Sequence, residues 1–134
     1  MSAIAINHVA FYCRDIAAQE AFYSKHFGFK RSRTFRAGTP KEFFMLKLGP
    51  VRLEFFPTDP EKVSGKGGGE QAVGFRHLAF DVPKLEPFIE ALRSEGLEPD
   101  PIIETGSTQS GSRIVFFRDH EGNIIELMEG YVDI

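Results

Sequence analysis

The sequence predicts an α+β fold made of two βαβββ repeats, whose curved sheets surround a metal cavity. Three observations carry this. Two near-identical strand openings, Asn7-His8-Val9-Ala10-Phe11 and Arg76-His77-Leu78-Ala79-Phe80, stand 69 residues apart. Each is followed, 46 and 49 residues later, by a glutamate inside an apolar run: Glu54 in Val51-Arg52-Leu53-Glu54-Phe55-Phe56, and Glu126 in Asn123-Ile124-Ile125-Glu126-Leu127-Met128. Between each His and its Glu lie one stretch of helical period and then extended runs, in the same order both times.

The first repeat (residues 1–58) opens with an alternating strand from Ile4 to Tyr12, in which Ile4, Ile6, His8 and Ala10 share a face. Asp15 is placed to cap a helix whose stripe is Ile16, Ala18, Phe22, Tyr23 and Phe27, and Gly28 stops it. Strand-like runs follow over Lys30–Arg36, Glu42–Leu48 and Val51–Phe56, with Gly49-Pro50 turning between the last two. Residues 59–74, with Gly67-Gly68-Gly69, read as a linker. The second repeat (residues 75–134) has a strand over Phe75–Val82 and a helix from about Lys84 carrying Leu85, Phe88, Ile89 and Leu92, ended by Gly96. Extended segments follow over Glu98–Glu104, Gly111–Arg118 and Asn123–Gly130, with residues 119–123 as a hairpin connector.

A chain of 134 residues fits one compact domain or two half-domains, and 42% apolar residues with 14 Phe supply ample core material. The net charge of −3 gives no electrostatic case for a nucleic-acid partner. The single Cys13 excludes an intrachain disulfide and fits a reducing cytoplasm. No apolar run approaches the length of a membrane span, so a soluble cytoplasmic protein with no membrane partner is expected. Charge is uneven. Through Thr58 there are nine Lys/Arg against four Asp/Glu (+5), and beyond it seven against fifteen (−8). Complementary fields of this kind can help two halves or two copies associate, and differently charged solvated surfaces produce the same pattern.

Alternation places His8, Glu54, His77 and Glu126 opposite strongly apolar faces: Val9 and Phe11, Leu53 and Phe55, Leu78 and Phe80, Ile125 and Leu127. A lone strand histidine is most often a hydrogen-bonded, half-buried residue, and a lone strand glutamate most often faces water. Repetition at equivalent places changes that reading. A mid-strand carboxylate among Leu, Phe and Val needs a compensating charge, and a divalent cation compensates two of them while accepting two neutral imidazoles. The donor set suits Zn, Ni, Co, Mn or Fe. Elsewhere, His26 suits a helix C-terminus, His120 a solvated connector, and Cys13 a small strand residue. Lys30, Arg31, Arg33 and Arg36 suit either a charged edge strand or a wall facing an anionic substrate tail. The glycines from Gly65 to Gly69 lack the Gly-Lys-Ser/Thr and the strand-to-helix context of a phosphate loop.

These residues resemble the vicinal oxygen chelate superfamily, which includes glyoxalase I, bleomycin-resistance proteins, fosfomycin-resistance enzymes, methylmalonyl-CoA epimerase and extradiol dioxygenases. The resemblance covers nearly the whole chain. It rests on the paired βαβββ order, the Asn7-His8-Val9-Ala10-Phe11 opening, the Phe22-Tyr23 to Gly28-Phe29 helix end, and the segment Asp119–Glu126, similar to the family's Asp-Pro-Asp-Gly-Asn-X-X-Glu-Leu close. The His, Glu, His, Glu set is similar to that of bacterial glyoxalase I; methylmalonyl-CoA epimerases usually carry Gln where Glu54 stands. The resemblance implies the glyoxalase/bleomycin resistance/dihydroxybiphenyl dioxygenase fold and one divalent ion held by His8, Glu54, His77 and Glu126. It further implies a homodimer, and a lyase or isomerase acting on a small chelating substrate such as a thiol–2-oxoaldehyde hemithioacetal. Glu126 is implied as the catalytic base, with Glu54 as its pseudo-symmetric partner. Glyoxalase I generally holds glutathione with an Arg four residues after the first His and an Asn four after the first Glu. Tyr12 and Thr58 stand there, leaving Arg14, Arg33, Arg36 and Arg113 as candidates for the missing charge. An Fe(II)-dependent extradiol-type dioxygenase, needing two His and one Glu, and a non-enzymatic drug-binding resistance protein are the alternative functions.

Overall fold

A computed structural model describes residues 4–61, 73–105 and 112–132. The chain divides into two compact units, Met1–Val63 and Ser64–Ile134. Unit 1 contains β1 (Val9–Cys13), α1 (Ile16–Phe27), β2 (Lys30–Phe35), β3 (Phe43–Leu48) and β4 (Val51–Pro57). Unit 2 contains β5 (Leu78–Asp81), α2 (Leu85–Ser94), β6 (Ile103–Glu104), β7 (Arg113–Arg118) and β8 (Ile124–Glu129). The expected βαβββ order therefore holds in both. Residues 62–72 of the expected linker, including its glycine run, and the start of the Gly111 segment lie outside the described residues. Among the described residues no helix is long and apolar enough to cross a membrane.

The two sheets have the same topology. Strand order is β1-β4-β3-β2 in one and β5-β8-β7-β6 in the other. In each, the glutamate-bearing strand is central, parallel to the histidine-led strand and antiparallel to its hairpin partner. The central strand has a neighbour on each edge, and Leu53, Glu54 and Phe55 are all buried, as are Ile125, Glu126 and Leu127. In unit 1, α1 covers the Leu53/Phe55 face: the Tyr23 and Phe55 rings lie 5.6 Å apart and Phe11 meets Phe55 edge-on at 5.7 Å. In unit 2 the same layer is formed by Leu85, Ile89 and Leu92 of α2 over Val115, Phe117, Ile125 and Leu127.

Both opening strands are shorter than expected. β1 begins at Val9, and Ile4 and Ile6 are exposed. The parallel register pairs Val9 with Leu53, so Ala5 and Ile6 would lie against the Gly49-Pro50 turn, which offers no ladder. β5 likewise begins at Leu78, opposite Ile125, where the connector 119–123 turns away. Over residues 98–104 only Ile103–Glu104 pairs with β7. Pro99 and Pro101 have no N–H to give, and the amide between them, Asp100, donates alone to Phe116 O at 2.8 Å. In α1, Ala18 is exposed and Gln19 is buried, a one-residue rotation of the expected stripe.

Helix ends are fixed differently in the two units. Asp15 caps α1 as expected, its carboxylate accepting from Ala18 N at 3.0 Å, and Gly28 closes it at φ 82, where a side chain would be strained. Lys84, which precedes α2, provides no side-chain cap. The cap comes from another strand: Leu85 N–H donates to Glu129 Oε1 of β8 at 3.0 Å. Arg113 then ties this carboxylate to two others, through Nη1 to Glu129 (3.2 Å), Nη2 to Glu86 (2.8 Å) and Nε to Glu104 (3.0 Å). At the β7–β8 connector the buried Asp119 accepts from Glu121 N (3.0 Å) and Asn123 N (2.9 Å), so a carboxylate organises the turn.

The Leu85 N–H bond and then Arg113 hold Glu129 below the usual carboxylate range; for Glu86 the Arg113 bond is the leading cause. Because the folded pKa lies below the unfolded one, about 4.3, this stabilisation is present above that pH and lost as pH falls through the folded values. Arg113→Gln is expected to lower Tm at pH 7 and to have a smaller effect at pH 3, checked by thermal melts of chelator-treated protein. An equal difference at both pH values would contradict this linkage. Asp119→Ala should cost about 1–3 kcal/mol in urea unfolding, since it leaves buried donors of the turn without their acceptor.

Candidate functional site

Each unit brings one histidine onto one glutamate. In unit 1, Ala10 pairs with Glu54, and Glu54 with Met45 of β3. His8 lies two residues before Ala10 and so returns to the face that Glu54 occupies. Its Nε2 stands 3.1 Å from Glu54 Oε1. In unit 2, Ala79 pairs with Glu126, and Glu126 with Phe116 of β7. His77 lies two residues before Ala79, and its Nε2 stands 2.9 Å from Glu126 Oε1. The register is identical in the two units. In both, an alanine beside the glutamate leaves space into which the imidazole reaches from the strand's lead-in.

Burial makes these pairs costly to leave uncompensated. Glu54 is 6% exposed and Glu126 7%, each between two fully buried apolar residues of its own strand. Taking a carboxylate from water into such surroundings costs several kcal/mol unless an opposite charge or good donors answer it. The histidines are only partly buried, so each pair opens outward through its imidazole.

The second ring nitrogens differ. His8 Nδ1 lies 2.8 Å from Asn7 Oδ1. His77 Nδ1 lies 3.0 Å from Arg76 Nη1. Arginine only donates, so His77 Nδ1 accepts, its proton sits on Nε2, and that N–H points to Glu126. The ring is further held edge-on against Phe116 at 5.5 Å.

The donors fit a divalent cation. Two ligands about 2.0–2.2 Å from one ion and at a right angle to each other stand about 3.0 Å apart. Both pairs already stand at that separation. Among the described residues no group of three or more His, Cys, Asp or Glu side chains is placed to hold a metal ion.

The remaining candidates resolve into supporting roles. His26 is in the last turn of α1, its ring 4.6 Å from Phe22. His120 is exposed in the connector, as expected, and its Nε2 lies 3.8 Å from Glu95. Cys13 is buried at the end of β1. Lys30, Arg31 and Arg33 of the basic run lie on the edge strand β2 and Arg36 just beyond it; Arg31 is clamped by Glu20, which raises its pKa, and lies over the Phe44 ring at 3.7 Å. Arg113 is engaged by three glutamates, so it has a structural task.

Sequence reasoning missed a cavity of about 540 Å³ in unit 1, whose walls include Arg36, Lys41, Phe43, Phe56 and Thr58. The signal was available. The Gly49-Pro50 turn pairs Leu48 with Val51, which pairs Met45 with Glu54 and sets Phe43 opposite Phe56, so both aromatics follow Glu54 on its own face.

A model of the Glyoxalase/Bleomycin resistance protein/Dioxygenase superfamily matches residues 5–127, and the chain belongs to that superfamily. It is similar to the uncharacterized protein YwkD of Bacillus subtilis (strain 168), 33% identical over 128 residues that make up 92% of this chain and 95% of the relative. The crystal structure of the glyoxalase family protein from Enterococcus faecalis matches with TM-score 0.74 and 33% identity, over 93% of this chain and 97% of that one. A mutant of the fosfomycin resistance protein FosX from Listeria monocytogenes, complexed with Mn(II) and 1S,2S-dihydroxypropylphosphonic acid, shares the fold at TM-score 0.72. Its identity is 14%, over 98% of this chain and 94% of that one.

The proton assignment is testable without metal. In chelator-treated protein, ¹⁵N–¹H correlation of the imidazoles should show His77 as the Nε2–H tautomer, and Arg76→Ala should release that preference. A dominant Nδ1–H form in the unsubstituted protein would contradict the Arg76 contact.

Proposed function

We propose that the protein is a divalent-metal-dependent lyase or isomerase of the glyoxalase I type. Its substrate would be a small molecule with two neighbouring oxygens, such as a thiol–2-oxoaldehyde hemithioacetal, and His8, Glu54, His77 and Glu126 would hold one Zn, Ni, Co, Mn or Fe ion. The observation that carries this is the repeated pair: a buried mid-strand carboxylate meeting an imidazole Nε2 at ligand–ligand spacing, in the same register of two successive units. The FosX mutant complexed with Mn(II) and a vicinal diol supports the reading as far as the fold goes, since another protein of that fold holds both.

When bound, the cation supplies Lewis acidity to a chelated oxygen and offsets negative charge as it develops. The chain's own residues do the rest. His8 and His77 present neutral nitrogen donors at the open side of each pair. Glu126 takes the C–H proton next to the carbonyl and returns it to the adjacent carbon, a task for which its fixed position matters more than an unusual proton affinity. Glu54 balances it from the other repeat. Binding through His77 Nε2 requires the proton on Nδ1, so Arg76 must let go. Metal binding therefore carries a tautomer switch. A C2 homodimer is the proposed assembly.

Calorimetric titration with Ni(II) or Zn(II) should give one ion per chain, with His77 moving from the Nε2–H to the Nδ1–H form. Two ions per chain, one for each pair, would contradict the shared site. Hemithioacetal isomerisation, assayed with several thiols, should fall roughly 10²–10⁴-fold in Glu126→Gln, with the thermal midpoint nearly unchanged. Undiminished activity would remove Glu126 as the base. Metal-dependent oxygen consumption with catechols in place of isomerisation would contradict the lyase reading.

A further inference from the structure

The two units agree at the His–Glu pairs and diverge two residues further along the strands. In unit 1 that next row is aromatic on all four strands. Tyr12 of β1 pairs with Phe56 of β4, Phe56 faces Phe43 of β3, and Phe43 pairs with Phe35 of β2. Phe56 and Phe43 stack at 4.3 Å and 20°, Phe43 and Phe35 at 4.7 Å and 10°, and Tyr12 lies 6.1 Å from Phe56. The corresponding row in unit 2 is Asp81, Met128, Ile114 and Ile103. The shared fold therefore does not require rings there. Tyr12 is 78% exposed, and no core position needs a ring so placed.

The cavity of about 540 Å³ opens beside Phe43 and Phe56, a volume usual for small-molecule sites. Its charged lining is Arg36, Lys41 and Asp59, two cations against one carboxylate. Asp59 already accepts from Glu61 N at 2.9 Å. Arg36 holds a left-handed backbone, φ 51, while its carbonyl accepts from Thr39 N (3.2 Å) and Thr39 Oγ1 (2.7 Å). A glycine would adopt that conformation without the roughly 1–2 kcal/mol that a side chain costs. The guanidinium is thus presented at the pocket against a local backbone preference.

We propose that this pocket binds a planar aromatic carboxylate, its ring lying across the edges of Phe43 and Phe56, whose facing surfaces are taken up by the Phe35–Phe43–Phe56 stack, and its anionic end received by Arg36 and Lys41. Ring edges favour the face of an aromatic ligand over a puckered one of equal size, and two cations at one end favour an anion over a neutral isostere. The ledge follows Glu54 on the same sheet face, so a ligand seated there extends toward the His8–Glu54 pair. That this ligand is the non-chelating part of the substrate rests on the metal-dependent reading above; the ligand class of the pocket does not.

Naphthalene-2-carboxylate is the probe, titrated by calorimetry into the full chain with and without chelator. Naphthalene-2-carboxamide and decahydronaphthalene-2-carboxylate are the comparisons. The carboxylate should bind roughly tenfold tighter than either, equally well in chelator. Arg36→Gln with Lys41→Gln, both at exposed positions, should reduce it to the level of the carboxamide. Phe43→Leu should erase the preference over decahydronaphthalene-2-carboxylate, with a thermal melt confirming that the variant is folded. Equal binding of carboxylate and carboxamide, or an unaffected double variant, would overturn the proposal. Loss of binding in chelator would also overturn it, since the probe would then be sitting on the ion. A chain that binds the probe but takes up no metal retains this pocket and loses the metal reading; the reverse result loses the pocket alone.

Discussion

A carboxylate buried in the middle of a central strand is the constraint on which each unit turns. Glu54 and Glu126 are buried on central strands, flanked in sequence by residues of the apolar core. An apolar side chain at either position would pack without penalty, so a charge there demands an answering group. The fold supplies half of that answer by bringing a histidine two residues ahead of the neighbouring alanine. The pair is open on the imidazole side, and its spacing matches adjacent ligands of a divalent ion.

Duplication explains why the same arrangement occurs twice, and the differences between copies show where each half has taken its own course. The α1 N-terminus is capped locally by Asp15, whereas α2 borrows Glu129 from β8 and secures it with Arg113. Unit 1 has an aromatic row beyond its glutamate where unit 2 has Asp81 and aliphatic or thioether side chains. The His–Glu pairs are common to both units, and the cavity beside Phe43 and Phe56 lies among residues that are not.

Much of this was legible in the sequence because it depends on period and repetition. The βαβββ order, Asp15 and Gly28 as helix ends, the Gly49-Pro50 hairpin and the orientation of Glu54 and Glu126 follow from local pattern alone. What escaped depends on contacts distant in sequence. The late starts of β1 and β5 are set by where β4 and β8 turn. The thin pairing of β6 reflects Pro99 and Pro101, visible residues whose effect needed the partner strand to be judged. Arg113 was a candidate for substrate charge until three glutamates from separate elements proved to surround it. Neither composition nor spacing near Arg113 announces that cluster. The aromatic row was within reach from the hairpin register and went unread, because Phe43 and Phe56 look like ordinary core residues one at a time.

The central claim concerns four named side chains and one ion. Anomalous diffraction from crystals of Ni(II)-loaded protein tests it most directly. The account predicts a single strong site with His8 Nε2, His77 Nε2 and one oxygen each of Glu54 and Glu126 about 2.0–2.2 Å from the metal. Nickel bound by only one His–Glu pair, or held by other residues while both pairs keep their present contacts, would contradict it.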